Sequence, residues 1–255
     1  GLSMAALDKI LRVPNGVNDD ILLEVCVPSC DDCISRHVSM CSALKDNEIH
    51  QLSEISQKLS KTSKQYICEE GEKADYLYNI REGCVRISKM LPDGRRQIIG
   101  FLFAGDFFGL SCADGYSYTA EAITDVDLCK MSRENILEKF NDIPALGQKI
   151  IDITQTELHA ASEQMLLLGR KKAKEKLGTF LLSMNNKSLQ SSNIPEDQIF
   201  LPMSRSDIAD YLGLTIETVS RQFTILVKDN VISLDENPNV KILDNRQLEL
   251  IASGA

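Results

Sequence analysis

Between Leu201 and Phe223 the chain carries the pattern of two short helices set at an angle, and this stretch constrains the fold more than any other. Ser204 stands where a first helix needs a side-chain cap, with Asp207 as an acidic partner in its first turn. Ile208, Ala209 and Leu212 predict the buried side of that helix, and the small Ala209 lets a second helix come close. Gly213 makes the turn, and Thr215 caps a second helix whose apolar stripe is Val219, Phe223 and Leu226. On the opposite face lie Glu217, Ser220 and Arg221. A helix in the major groove presents a patch of this size to base edges. Arginine can donate two bonds to guanine O6 and N7, and glutamate can accept from cytosine N4. The competing reading is a surface Glu217–Arg221 pair, which stabilises a helix by roughly 0.2–0.5 kcal/mol. A capped helix, a glycine and a second capped helix predict a DNA-binding helix-turn-helix.

A formal charge of −9 argues against nucleic acid only if it is spread evenly. Residues 1–169 hold 17 Lys+Arg against 26 Asp+Glu, whereas residues 170–255 hold 11 of each. The acidic excess thus lies outside the helix-turn-helix. Arg170-Lys171-Lys172-Ala173-Lys174 forms a local basic cluster, either a phosphate-binding patch or a solvated helix face. No apolar run approaches the roughly 18 residues of a membrane span, and no secretory leader opens the chain. Gly1-Leu2-Ser3 before Met4 reads as a cloning remnant, and a cytoplasmic location is expected, with no membrane partner.

Four regions are expected: a cysteine-rich segment over 1–45, a β-rich domain over 46–142, a long helix over 143–169, and the helix-turn-helix domain over 170–255. Asp46 or Asn47 is placed to cap a short helix carrying Ile49, Leu52, Ile55 and Leu59. Short runs between turn signals predict strands at 76–80, 84–88, 97–101, 118–122 and 126–130, with Pro92-Asp93-Gly94 turning the second into the third. Closely spaced strands of this kind suggest a small antiparallel barrel or jelly roll. Pro144 stands at a helix start. Beyond it Ile151, Leu158 and Met165 recur every seven residues, with Thr154, Ala161 and Leu168 at the offset positions. That seam suits a partner helix, so Ile151, Leu158, Ala161 and Met165 are candidate dimer contacts. The alternative is a helix packed on its own domain. Gly169 is expected to end the helix and give a hinge, followed by a helix over 172–182 and a polar loop over 185–197.

Four of the eight cysteines, Cys26, Cys30, Cys33 and Cys41, fall within 16 residues. Without a secretory signal this density points to metal or redox chemistry and away from a disulfide framework. Zinc, an iron–sulfur cluster and an unligated thiol switch all remain open on spacing alone. Cys68, Cys84 and Cys112 read as buried small hydrophobes. His37, between Cys33 and Cys41, is a conceivable ligand but reads first as a loop histidine, and His50 and His159 read as helix surface.

Gly213-Leu-Thr-Ile-Glu-Thr-Val-Ser-Arg221 closely resembles the recognition helix of the cyclic-AMP receptor superfamily, in its fumarate-and-nitrate-reduction branch. The likeness extends over the cysteine segment, the Pro-Asp-Gly turn, Ala104-Gly-Asp-Phe-Phe-Gly109 and Met165-Leu-Leu-Leu168. It implies an α+β fold: an antiparallel β-roll of the cyclic-nucleotide-binding type, a long dimerisation helix and a C-terminal winged helix-turn-helix. It implies that Glu217, Ser220 and Arg221 read TTGAT half-sites as a homodimer, with RNA polymerase a further partner by analogy. It also implies a [4Fe–4S] cluster on Cys30, Cys33, Cys41 and Cys129, with Cys26 matching a leading cysteine that is not a ligand. The seven-residue gap before Cys41 is longer than in the enteric members and resembles that of others in the branch. No arginine lies between Arg96 and Arg133, where nucleotide-binding members keep their phosphate cation, so no cyclic nucleotide is expected. The resulting expectation is an oxygen-responsive transcription regulator that is not an enzyme. Its alternatives are a same-fold regulator controlled by zinc, thiols or a small ligand, or acting constitutively, and an iron–sulfur redox protein.

Overall fold

The computed structural model describes residues 30, 33–111, 114–189, 195, 197–234 and 239–254. Two short 310 helices, Ile34–His37 and Met40–Ala43, lead into α1 (Asp46–Glu54). Eight strands follow: β1 (Ser56–Lys61), β2 (Tyr66–Cys68), β3 (Tyr76–Glu82), β4 (Val85–Met90), β5 (Arg96–Leu102), β6 (Phe107–Phe108), β7 (Thr119–Ala122) and β8 (Val126–Ser132). They form two antiparallel sheets ordered β1-β8-β3-β6 and β2-β7-β4-β5. Between the sheets sits a core that includes Tyr78, Ile80, Val85, Phe108, Ala120 and Leu128. All five strands expected from alternation are present, and their ends move by no more than two residues.

After α2 (Arg133–Asp142), α3 runs for 27 residues from Pro144 to Arg170, or about 40 Å at 1.5 Å per residue. Pro144 opens it as expected, because a first-turn proline lacks only an N–H that has no helical partner. Then come α4 (Ala173–Leu189), β9 (Gln198–Phe200), α5 (Arg205–Leu212), α6 (Ile216–Lys228), β10 (Ile232–Leu234), β11 (Asn239–Ile242) and α7 (Asn245–Ser253). β9, β10 and β11 form a third antiparallel sheet beside the helix pair, which gives the wing. Among the described residues no helix is long and apolar enough to cross a membrane.

Several expectations need correction. α1 is capped at Lys45, whose N–H donates to Glu48 Oε2 at 2.7 Å, so Asp46 and Asn47 lie inside the helix. Leu59 belongs to β1 and not to the face of α1, because Ile55 closes the helix and the chain turns directly into the strand. Gly169 keeps a helical backbone: α3 passes through it and ends at Lys171, which is extended at φ −78° and ψ 144°. α4 continues to Leu189, so the polar loop begins later than expected. Buried Leu181, Met184 and Ser188 carry its apolar side past the predicted end.

Candidate functional site

The helix-turn-helix is assembled by the contacts its residues predict. Ser204 Oγ accepts the Asp207 N–H at 3.1 Å, and an Asp207 carboxylate oxygen accepts the Ser204 N–H at 3.0 Å. Gly213 adopts φ +61°, a left-handed conformation that a side chain resists. Thr215 Oγ1 accepts the Thr218 N–H at 3.2 Å and starts α6. Val219, Phe223 and Leu226 are buried against α5, which leaves Glu217, Ser220 and Arg221 exposed together on the outer face. Among the described residues Glu217 and Arg221 form no ion pair with each other, so the surface-pair reading finds no support. Sequence reasoning missed Arg205, whose guanidinium lies 3.2 Å from the centroid of the Phe223 ring and helps lock α5 to α6.

Half of the basic cluster is committed within the protein, while Arg170 and Lys172 are exposed. Lys171 Nζ donates to Thr179 Oγ1 at 2.8 Å and to the Ala252 carbonyl at 2.9 Å, and Lys174 pairs with Asp229 at 2.9 Å. These cations fasten α4 to α7 and α6, leaving less positive charge to face a partner than the sequence suggested.

On α3 the seam positions lie in the open. Ile151, Leu158 and Met165 are 52%, 69% and 69% exposed, and Ala161 is exposed between them. Leu146, Ile150 and Leu167 on the other side are buried. The alternative, packing of α3 on its own domain, thus accounts for one face only. Leu168 leaves the seam and approaches the Gly213 turn instead.

The second site is at the opposite end. In β3 and β8 alternation sends Tyr78, Ile80 and Leu128 into the roll, and Leu77, Cys129 and Met131 to the outer face. Asn79 and Cys129 are cross-strand partners on that outer face. The 310 segment folds over it: Ser39 Oγ accepts the Cys41 N–H at 3.2 Å, and buried Ser35 lies 3.4 Å from Cys33 Sγ. Cys30, Cys33, Cys41 and Cys129 consequently line one cavity, with Met40, Ile49, Leu52 and Met131 as apolar wall and Arg36 and Arg81 as its cations. Burial pushes the Cys41 thiol up to about 11 and the Cys129 thiol up to about 12. Arg81 is desolvated there yet held firmly protonated by its hydrogen bond to Cys33 and by the nearby Cys129. Among the described residues no group of three or more His, Cys, Asp or Glu side chains is gathered tightly enough for a single metal ion. His37 is exposed and does not line the cavity. Cys26 and Cys112 lie outside the described residues, and Cys68 and Cys84 are buried.

Inside the roll, the Gly109 N–H donates to Tyr118 Oη at 2.9 Å and Tyr116 Oη donates to the Tyr76 carbonyl at 2.8 Å. Tyr78 stacks on Phe108 with ring centroids 5.1 Å apart. A tyrosine hydroxyl thus occupies the backbone donor of Gly109, and Tyr116 is tied to the backbone of Tyr76.

Comparison with known proteins agrees with this architecture. Residues 59–142 match the cyclic nucleotide-binding domain model, and residues 175–251 match the Crp-like helix-turn-helix domain model. The chain is 37% identical over 224 residues to the nitrogen fixation regulation protein FixK of Bradyrhizobium diazoefficiens, covering 88% of this chain and 94% of that protein. It is 36% identical to the transcriptional activator protein FnrL of Cereibacter sphaeroides, covering 86% of this chain and 90% of that one. The solved structure of FixK2 from Bradyrhizobium japonicum superposes with a TM-score of 0.73 at 35% identity, over 79% of this chain and 99% of that one. With two domain matches and relatives matched over most of their length, the chain belongs to the Crp/Fnr family of DNA-binding transcription regulators.

Proposed function

We propose that this protein is an oxygen-responsive transcription activator that holds a [4Fe–4S] cluster on Cys30, Cys33, Cys41 and Cys129 and binds palindromic TTGAT-type DNA as a homodimer. The observation that carries the reading is Cys129: a strand residue far along the chain lines the same cavity as the three cysteines of the N-terminal segment. The donor set is all thiol, as such a cluster requires, and the wall is apolar. A single zinc would draw its sulfurs to about 4 Å from one another, given Zn–S bonds near 2.3 Å. Thiols sharing a cavity without gathering that tightly suit a wider, multinuclear group better. Burial of Cys41 and Cys129 also speaks against a bare thiol switch, because it keeps the thiols protonated and poorly nucleophilic, whereas metal binding would release those protons to solvent. When bound, the cluster would supply reactivity toward oxygen. The protein's part is to order the 310 segment across β3 and β8, beside the start of α3.

Pairing would run along Ile151, Leu158, Ala161 and Met165, where exposed apolar side chains on a long helix call for a cover and Ala161 brings no charge to desolvate. The name of FnrL as a transcriptional activator protein supports the activating role. The tyrosine-filled roll supports a regulator without a cyclic-nucleotide effector. RNA polymerase is the partner such an activator needs.

Iron and acid-labile sulfide in protein purified under nitrogen, a visible spectrum that changes in air, and nitrogen-dependent binding to a TTGAT…ATCAA duplex are the expected results. A second reading is a regulator of the same fold acting without a cluster. Full DNA affinity in air after chelation would select it.

A further inference from the structure

α5 is docked on the β4–β5 hairpin, far along the chain from the helix-turn-helix. At the centre of the contact Tyr211 of α5 lies 5.3 Å from Phe101 of β5 and 5.6 Å from Phe180 of α4, ring centroid to centroid. Ile98 and Phe101 are buried in the same core as Ile208, Leu212 and Phe223. A charged rim surrounds that apolar centre. Arg86 donates to Asp207 at 2.6 Å and to Glu121 at 2.7 Å, and Arg96 donates to Asp207 at 2.8 Å and to Asp210 at 2.7 Å. Gln97 Nε2 donates to the Asp210 carbonyl at 2.8 Å. With the Asp207 side chain 6% exposed and that of Arg86 18% exposed, salt screens these pairs little.

The joint between α3 and α4 is short: α3 ends at Arg170, its cap residue Lys171 is extended, and α4 begins at Ala173. α3 also meets the helix-turn-helix domain directly, since Gln164 Nε2 donates to the Tyr211 carbonyl at 3.0 Å, Leu167 is buried in the same core, and Lys171 Nζ donates to Thr179 Oγ1 and to the Ala252 carbonyl. The docked hairpin adds its charged rim to these contacts and so stiffens the angle between α3 and the helix-turn-helix. The docking leaves Glu217, Ser220 and Arg221 exposed, so holding and reading are compatible.

We infer that the β4–β5 hairpin is a spacing gauge: by clamping α5 through Arg86, Arg96 and Gln97 it fixes the angle of the reading helix to α3, and so restricts a pair of chains to one separation of DNA half-sites. The inference rests on the reading of the protein as an α3-paired dimer on a palindrome. In such a pair a twofold axis relates the two reading helices, and their separation follows from that angle alone. Each added base pair moves a half-site by about 3.4 Å and turns it by roughly 34°. A clamped unit follows only by breaking its rim of ion pairs, whereas a unit released from the hairpin is held to α3 by the Gln164, Leu167 and Lys171 contacts alone.

The test uses full-length protein prepared under nitrogen and two releasing variants. Arg96→Gln with Asp210→Asn removes the outer rim but keeps the Arg86–Asp207 pair and the Ser204 cap. Gln97→Ala removes the amide bridge alone. Binding is measured to duplexes with two TTGAT half-sites at the best-bound separation, at one base pair more and fewer, and to a single half-site. Native protein is expected to lose at least tenfold in affinity on either change, and the double variant less than threefold, with Gln97→Ala between. Single half-site affinity should stay within twofold throughout. A folded double variant that keeps the native penalty overturns the gauge, as does native protein indifferent to separation while two chains occupy each duplex. Should the double variant fail to fold, a native penalty in Gln97→Ala overturns it instead. One chain per duplex would overturn the dimer reading, and the gauge with it.

Discussion

The two candidate sites are built in opposite ways. The candidate reading face of α6 comes from residues 217–221 of one helix, and the cap, turn and apolar stripe that shape it all lie between Ser204 and Leu226. The cysteine cavity draws on the 310 segment, α1, β3 and β8, and none of those elements builds it alone. A locally coded site should weaken by degrees when one residue changes, whereas an assembled site should fail when one of its distant pieces is removed.

The largest effect is expected where assembly matters most. Cys129→Ser removes what is, among the described residues, the only strand-borne thiol of the cavity, and iron and sulfide bound after anaerobic reconstitution should fall to background, since a [4Fe–4S] cluster needs a fourth ligand. His37→Ala, on an exposed residue of the same segment, should load like the native protein. Undiminished loading in Cys129→Ser would mean that the site is as local as the reading helix, and the contrast would break.

Arg221→Ala should give a graded loss. One base-reading arginine is worth about 1–3 kcal/mol, or roughly 5- to 150-fold in affinity for a TTGAT duplex, with little change on an unrelated duplex at the same salt. Anisotropy titrations on the two duplexes would show it. Equal losses on both would place Arg221 on phosphates. Because Arg221 is exposed, its thermal midpoint should match the native one.

A pair of glycines sharpens the comparison further. Gly213→Ala forces a side chain into the left-handed region and should destabilise the protein by about 1–2 kcal/mol in denaturant unfolding. Gly169→Ala, in a helix and with open space around the added methyl, should stabilise it by roughly 0.5–1 kcal/mol. Loss of stability in Gly169→Ala would mean that the residue bends after all.

These two glycines mark what was legible in the sequence. At Gly213 the caps on both sides and the interrupted apolar stripe all place a turn there, so local rules agree and the turn is where they put it. At Gly169 the glycine is the sole local signal for a helix end. A single exposed helix glycine is tolerated, and the helix ends only at Lys171, whose ammonium is tied to Thr179 and Ala252. Strand alternation was legible through the roll, but the short β6 and the paired edges β1 and β2 carry too few alternating positions to stand out. The cavity was legible only through family resemblance, because no local rule says that Cys129 faces the same way as a segment near the other end of the chain.

Asp207 is where local and long-range coding meet, and its titration gives the smallest effect. The sequence assigns it to the first turn of α5; the fold also presses it against Arg86 and Arg96, which lie 121 and 111 residues away. Burial pushes its carboxyl upward, but the Ser204 hydroxyl and N–H together with the two guanidinium groups outweigh that and hold it below its ordinary 3.8. A carboxyl depressed in the folded state contributes stability that is present above its unfolded value, and that stability is lost as pH falls through the lower folded value. Native protein should therefore be more stable than Asp207→Asn at pH 7, and the gap should close as pH drops below about 4. Urea midpoints of the two proteins, compared across that range, isolate this carboxyl from every other one. A gap that stays constant with pH would mean that Asp207 acts through its shape and hydrogen bonds at the α5 cap, and that the long-range arginines add no charge-dependent grip.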